Sequence, residues 1–153
     1  LAREEVMNVF TPGDHGSTFG GNPLGAAVGL EALNILVEEN LAERSAEMGA
    51  YLLEQLQAID SPLVSDIRGR GLFMGLEIVE DRNDKRPFAP EKGVAGRLKS
   101  AAFDAGLICY PMSGTRDGRL GDHVLLAPPF IIEDAQIDEL VAKLDTAVTS
   151  AIS

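Results

Sequence analysis

The stretch Gly13-Asp14-His15-Gly16-Ser17-Thr18-Phe19-Gly20-Gly21-Asn22-Pro23-Leu24 crowds four glycines around two hydroxyl side chains and then turns into a helix. Asn22 is a good N-cap and Pro23 suits the first helical position, where its missing N–H costs nothing. Glycines let backbone N–H groups approach a ligand closely, and Ser17 and Thr18 add hydroxyl donors just ahead of a helix N-terminus. That chemistry suits an anion. The stretch lacks the Gly-Lys-Ser/Thr of a P-loop and the Gly-x-Gly-x-x-Gly of a dinucleotide fold. On its residues alone it reads either as an anion-binding turn or simply as a tight turn entering a helix.

Outward from this turn, residues 1–10 read as a short helix stopped by Thr11-Pro12-Gly13. Downstream, Leu24 to Val37 is apolar on almost every side, the pattern of a long helix buried all round. Asn40 restarts a helix whose Leu41, Met48, Leu52 and Leu56 form one stripe. Asp60-Ser61-Pro62 breaks it. Two strand-like runs follow, Leu63–Ile67 and Leu72–Val79, separated by Arg68-Gly69-Arg70-Gly71, and then comes a polar loop over 81–90. A helix over 91–105, a strand over 107–110, a glycine-rich loop over 111–122, a strand over 123–126 and a helix over 134–151 complete the chain. Residues 61–153 therefore form a small α+β domain, a short sheet covered by helices.

Composition excludes whole classes of partner. Thirteen basic against 24 acidic residues give a formal charge of −11, and no Lys/Arg cluster offers a footprint for nucleic acid or anionic membrane. No apolar run reaches the roughly 18–20 residues of a membrane span, and the N-terminus has no signal-peptide core. The single cysteine, Cys109, forms no internal disulfide and fits a reducing compartment, so a cytoplasmic location is expected. His15 and His123 stand apart from any Cys/His/Asp spacing of a metal site, so no metal is expected. Cys109 reads as an inert thiol within an apolar strand.

The segment His15-Gly16-Ser17-Thr18-Phe19-Gly20-Gly21-Asn22-Pro23-Leu24 resembles the one that follows the cofactor lysine in class III pyridoxal-phosphate aminotransferases, particularly the ornithine and acetylornithine enzymes. Asp66-Ile67-Arg68-Gly69-Arg70-Gly71-Leu72 is similar to that family's Val-Arg-Gly-x-Gly-Leu block, and Leu126-Ala127-Pro128-Pro129 to its last strand. The last third, with Cys109-Tyr110-Pro111-Met112-Ser113-Gly114-Thr115 and Gly121 to Phe130, is closer to ω-amino acid:pyruvate aminotransferases.

The resemblance implies an α/β fold, the C-terminal part of the fold-type I aminotransferase, with residues 1–60 ending the large cofactor domain and residues 61–153 forming the small C-terminal domain. It implies pyridoxal 5'-phosphate as cofactor and a homodimer in which Ser17 and Thr18 reach the neighbouring subunit's phosphate. The reaction implied moves a terminal amino group from an ω-amino donor to a 2-oxo acid. The family's Schiff-base lysine would lie upstream of Leu1, and the opening without Met suggests a piece of a longer polypeptide. No catalytic residue is therefore expected within the chain, which should be inactive alone. Lys85, Lys92, Lys99 and Lys143 read as solvated surface lysines.

Ornithine-type enzymes place a carboxylate-binding arginine immediately before their equivalent of Leu126-Ala127-Pro128-Pro129, whereas this chain has Leu125, which cannot make the bidentate contact. Arg68 and Arg70 flank a glycine between the strand-like runs and could reach a substrate carboxylate, Arg68 being the candidate for substrate binding, weighed against a structural ion pair to Glu77 or Asp66. The rival to the aminotransferase reading is a non-catalytic interaction module derived from the small domain.

Overall fold

The computed structural model describes residues 2–152, which separate into two compact units, residues 2–40 and 41–152. The first holds helix α1 (Glu4–Met7) and helix α2 (Pro23–Glu38). As the sequence requires, Asn22 caps α2, its side chain accepting from the Gly25 N–H at 2.8 Å, with Pro23 at the first position. The expectation of a buried helix is not met within this chain. None of α2's residues is buried, and Leu24 and Val37 are each 75% exposed. Two helices and a turn have no surface wide enough to cover a helix that is apolar on all sides.

The second unit holds helix α3 (Leu41–Gln57), strands β1 (Val64–Arg70) and β2 (Phe73–Ile78), a 3-10 turn over Pro90–Lys92, helix α4 (Val94–Asp104), strands β3 (Tyr110–Ser113) and β4 (Asp122–Leu126), and helix α5 (Asp134–Ile152). The strands form one antiparallel sheet in the order β1-β2-β4-β3. Alternation along β2 sends Met74, Leu76 and Ile78 to one face, where Val124 and Leu126 of β4 join them. All three long helices supply that face: Leu52 and Leu56 from α3, Leu98 and Ala102 from α4, Ile137, Leu144 and Val148 from α5. Leu52, Leu56, Leu76, Val124, Ile137 and Leu144 lose all contact with solvent. Emptying any one of the leucines would cost about 2–5 kcal/mol.

Several element boundaries differ from the sequence reading. Helix α3 packs in the same compact unit as the sheet, sending Leu52 and Leu56 into its core. Strand β1 continues through Arg68 and Arg70, which pair with Gly75 and Phe73, leaving only Gly71-Leu72 as the turn. Gly71 has φ +56°, the left-handed value that the first position of a type II′ hairpin turn demands. The third helix begins at Val94 because Gly93, at φ +57°, interrupts the run from residue 91. Strand β3 covers 110–113 and not 107–110, since Leu107 is drawn into the core and pairing with β4 starts at Tyr110. Pro111 is accommodated because β3 is an edge strand.

Helix α3 fixes the tip of the hairpin. The Ser45 hydroxyl accepts from the Leu72 N–H at 3.1 Å, and a Cβ on Gly49 would stand 2.2 Å from the Gly71 carbonyl oxygen. Arg44, at the start of α3, donates to the Phe130 and Ile132 carbonyls at 2.8 and 2.7 Å and so ties down the loop that leaves β4. Among the described residues no helix is long and apolar enough to cross a membrane.

Gly49→Ala is therefore expected to destabilise the chain by roughly 1–3 kcal/mol, the usual cost of overpacking. Gly96→Ala, on the exposed face of α4 with open space at its Cβ, should instead stabilise by about 0.5–1 kcal/mol. Paired urea titrations of the two variants check both signs.

Candidate functional site

The glycine turn of the first unit presents its donors to solvent. The Ser17 oxygen accepts from the Gly20 N–H at 2.9 Å, which fixes the side chain and leaves its O–H proton free to donate. Asn22 Nδ2 donates to the Phe19 carbonyl at 2.6 Å, and Gly21 takes φ +76° to complete the reversal. Upstream, the Asp14 carboxylate accepts from the Thr11 backbone and hydroxyl at 2.7 and 2.9 Å. The backbone bond first and the hydroxyl second hold the carboxyl below its usual range. Ser17 and Thr18 are thus exposed hydroxyl donors on a braced turn. Neutral donors of this kind suit a phosphate whose counter-charge is supplied from elsewhere.

The second unit carries its own candidate site, on the sheet face that the helices leave open. Alternation puts Phe73, Gly75 and Glu77 of β2 on this face. Across the register Arg70 faces Phe73, Arg68 faces Gly75, and Asp66 faces Glu77; on the other side Leu125 faces Gly75 and His123 faces Glu77. All of these but Asp66 line a groove of about 590 Å³, within the range of small-molecule sites. An adjoining recess of about 460 Å³ shares Arg68, Glu77 and Thr115 with it. Gly75 leaves the floor bare, and a Cβ there would meet the Leu125 side chain at 3.6 Å. The Thr115 hydroxyl bonds His123 Nδ1 at the groove's rim.

The two arginines of the groove differ. Arg68 Nη1 donates to Glu77 at 2.7 Å and also to Asp66, and these bonds, Glu77 before Asp66, raise its already high pKa. It is the ion pair that its sequence neighbours allow, and it stands on the groove wall. The side chain of Arg70, exposed beside it, makes no ion pair or hydrogen bond among the described residues. The sequence reading offers Arg70 beside Arg68 as a residue able to reach a carboxylate. Its position opposite Phe73 at the end of β1 is set by a two-residue turn that the motif Arg68-Gly69-Arg70-Gly71 disguised as a longer separator.

None of the four lysines stands in the groove over the sheet. Lys92 pairs with Glu80, Lys143 meets Glu139 at 2.6 Å, and Lys85 and Lys99 are exposed. Among the described residues no group of three His, Cys, Asp or Glu side chains could hold a metal ion. Cys109 lies just before β3, half-buried, and burial pushes its thiol up from the usual value.

Comparison with known proteins gives the family. The profile of the family "Aminotransferase class-III" matches residues 1–148. An uncharacterized aminotransferase of Schizosaccharomyces pombe is 45% identical over all of this chain and 35% of its own length. The ornithine aminotransferase of Staphylococcus carnosus is 43% identical over 94% of this chain and 31% of its own. Among solved structures, an (S)-enantioselective ω-transaminase from Thermomicrobium roseum superposes with a TM-score of 0.80 at 32% identity, covering 98% of this chain and 32% of that one. A Bacillus anthracis aminotransferase gives 0.79 at 38% identity, over 96% and 34%. The chain spans about a third of the length of the relatives it matches.

A raised thiol pKa leaves less thiolate at a given pH. Cys109 should therefore react with iodoacetamide at pH 8 several-fold more slowly in the folded chain than in urea. Mass spectrometry of timed samples measures both rates.

Proposed function

The chain belongs to the class-III aminotransferase family, and from that premise we propose that it forms the C-terminal third of a transaminase that moves a terminal amino group from an ω-amino donor to a 2-oxo acid. The observation that carries the reading is the braced glycine turn, with two exposed hydroxyls, in a chain matched by the family over residues 1–148. Bound pyridoxal 5'-phosphate supplies the electron sink that such a transfer needs. Ser17 and Thr18 hold its phosphate by hydrogen bonds. In the full-length enzyme, a homodimer, they serve the cofactor of the neighbouring subunit. The lysine that carries the cofactor is supplied by another part of the polypeptide, so this chain binds and orients without being the catalyst. The single half-buried thiol supports a cytoplasmic setting.

The groove over the sheet is the substrate side of the small domain in this reading. Leu125, on its floor, takes the place of the carboxylate-binding arginine that the ornithine-type resemblance implies. The donor range is therefore that of an ω-transaminase rather than that of a strict ornithine enzyme.

In the full-length enzyme, Thr18→Ala should weaken cofactor affinity roughly ten- to a hundred-fold, the loss of one hydrogen bond to a charged group, while leaving the ranking of donors unchanged. Leu125→Arg should raise kcat/KM for ornithine relative to an ω-amine without an α-carboxylate. Cofactor titration and donor kinetics on both variants decide these points. An unchanged donor ratio in Leu125→Arg would mean that position 125 does not face the substrate.

A further inference from the structure

We propose that Asp117-Gly118, in the loop between β3 and β4, is a latent isoaspartate site, held unreactive by the hydrogen bonds of its own loop and released when that loop opens. The modification needs no enzyme and no reagent but water. The Gly118 backbone nitrogen attacks Cγ of Asp117; a C–N bond forms, a C–O bond breaks, and the carboxyl OH leaves with the nitrogen's proton as water, giving a cyclic imide. Water then adds back to the ring. Addition at the main-chain carbonyl breaks its bond to the nitrogen and leaves the chain running through the former side chain as isoaspartate.

The sequence singles out this pair. No other aspartate of the chain, and no asparagine, is followed by glycine. A side chain on the following residue crowds the attacking nitrogen, and glycine has none.

The folded loop withholds both reacting groups. Asp117 Oδ1 accepts from the Arg119 and Leu120 N–H groups at 2.9 and 2.7 Å, an Asx turn that commits the carboxyl to amides further along the chain. The Gly118 N–H, whose nitrogen would attack, donates to the Gly114 carbonyl at 2.9 Å. Two rungs close the loop around them, Arg116 N–H to the Leu120 carbonyl at 2.9 Å and Thr115 N–H to the Gly121 carbonyl at 3.2 Å. The amides of Leu120 and then Arg119 also hold the Asp117 carboxyl below its usual range, which keeps it ionised. A carboxylate is a poorer electrophile than the acid. Opening the loop removes these restraints together: the carboxyl turns freely, the nitrogen is released and the acid form becomes more populated. Conversion lengthens the backbone by one carbon, so the Asx turn does not re-form in its original shape. Isoaspartate at 117 thus accumulates as a covalent record of loop opening.

The test uses the 153-residue chain and its Gly114→Ala variant, each incubated at neutral pH in buffer and in urea. Isoaspartate at 117 is quantified by peptide mapping with electron-transfer fragmentation. In urea the two chains should convert at the same rate. In buffer the unsubstituted chain should convert about ten-fold or more slowly, as for a loop that is closed most of the time. A Cβ on Gly114 would stand 2.9 Å from the Gly118 carbonyl carbon and oxygen, at a backbone φ of +81°, so Gly114→Ala disrupts the loop where the Gly118 N–H is held. Its rate in buffer should approach the urea rate while Leu76 and Val124 keep their amide protection. Equal rates for the unsubstituted chain in buffer and urea would overturn the proposal, as would the absence of isoaspartate at 117 in both. A folded Gly114→Ala chain that converts no faster than the unsubstituted one would also overturn it. Should Gly114→Ala lose the protection of Leu76 and Val124, the unsubstituted chain's ratio of urea to buffer rates decides alone.

Discussion

Everything in the sheet unit depends on one constraint: a four-stranded sheet with helices on a single face. Leu76 and Val124 are sealed between Leu52 and Leu56 of α3, Leu98 of α4 and Leu144 of α5, which commits one side of each strand to the core. A strand has only two sides, so the same register delivers Arg68, Arg70, Glu77, His123 and Leu125 to the other. A one-residue slip would exchange the two sets, burying charges and exposing the core. The groove is thus the reverse side of the packing, held in place by the same contacts that hold the fold. Gly49 and Ser45 keep α3 close enough to the hairpin for that register to end cleanly at Gly71.

The first unit follows a different logic. Its helix α2 is apolar on every side and buries nothing within this chain, while the turn ahead of it is ordered locally by Asn22, Ser17 and Asp14. Short-range hydrogen bonds shape the turn, but they do not supply the apolar burial that dominates stability. The relatives that this chain matches are about three times as long. In the account proposed above, the turn is useful only where a cofactor and its counter-charge arrive from outside residues 1–40.

Much of this was legible in the sequence because local rules decided it. The Asn22-Pro23 helix start and the stripes of α3 and α5 need no tertiary information, and the family resemblance read from short motifs agrees with the family match over residues 1–148. What escaped was decided by pairing. The polar run Arg68-Gly69-Arg70-Gly71 has no strand-like alternation of apolar residues, yet three of its four residues lie in β1 because the partner strand offers Phe73, Met74 and Gly75 opposite them. The apolar run Leu107-Ile108-Cys109 has the composition of a strand, but only Leu107 is buried and Ile108 stands in solvent, and the ladder is left to Tyr110–Ser113. Which of the two arginines, Arg68 or Arg70, makes the ion pair is decided by the register, which sets Asp66 opposite Glu77, and not by their neighbours in sequence.

The central claim is that residues 41–152 carry the stability of this chain, whereas residues 2–40 are shaped only locally. Hydrogen–deuterium exchange on a demonstrated monomer of the 153-residue chain tests it most directly. The account predicts that amides of β2, β4 and the buried faces of α3 and α5 exchange only with global unfolding, and that α2 exchanges orders of magnitude faster. Protection of α2 equal to that of Leu76 and Val124 in that monomer would contradict it.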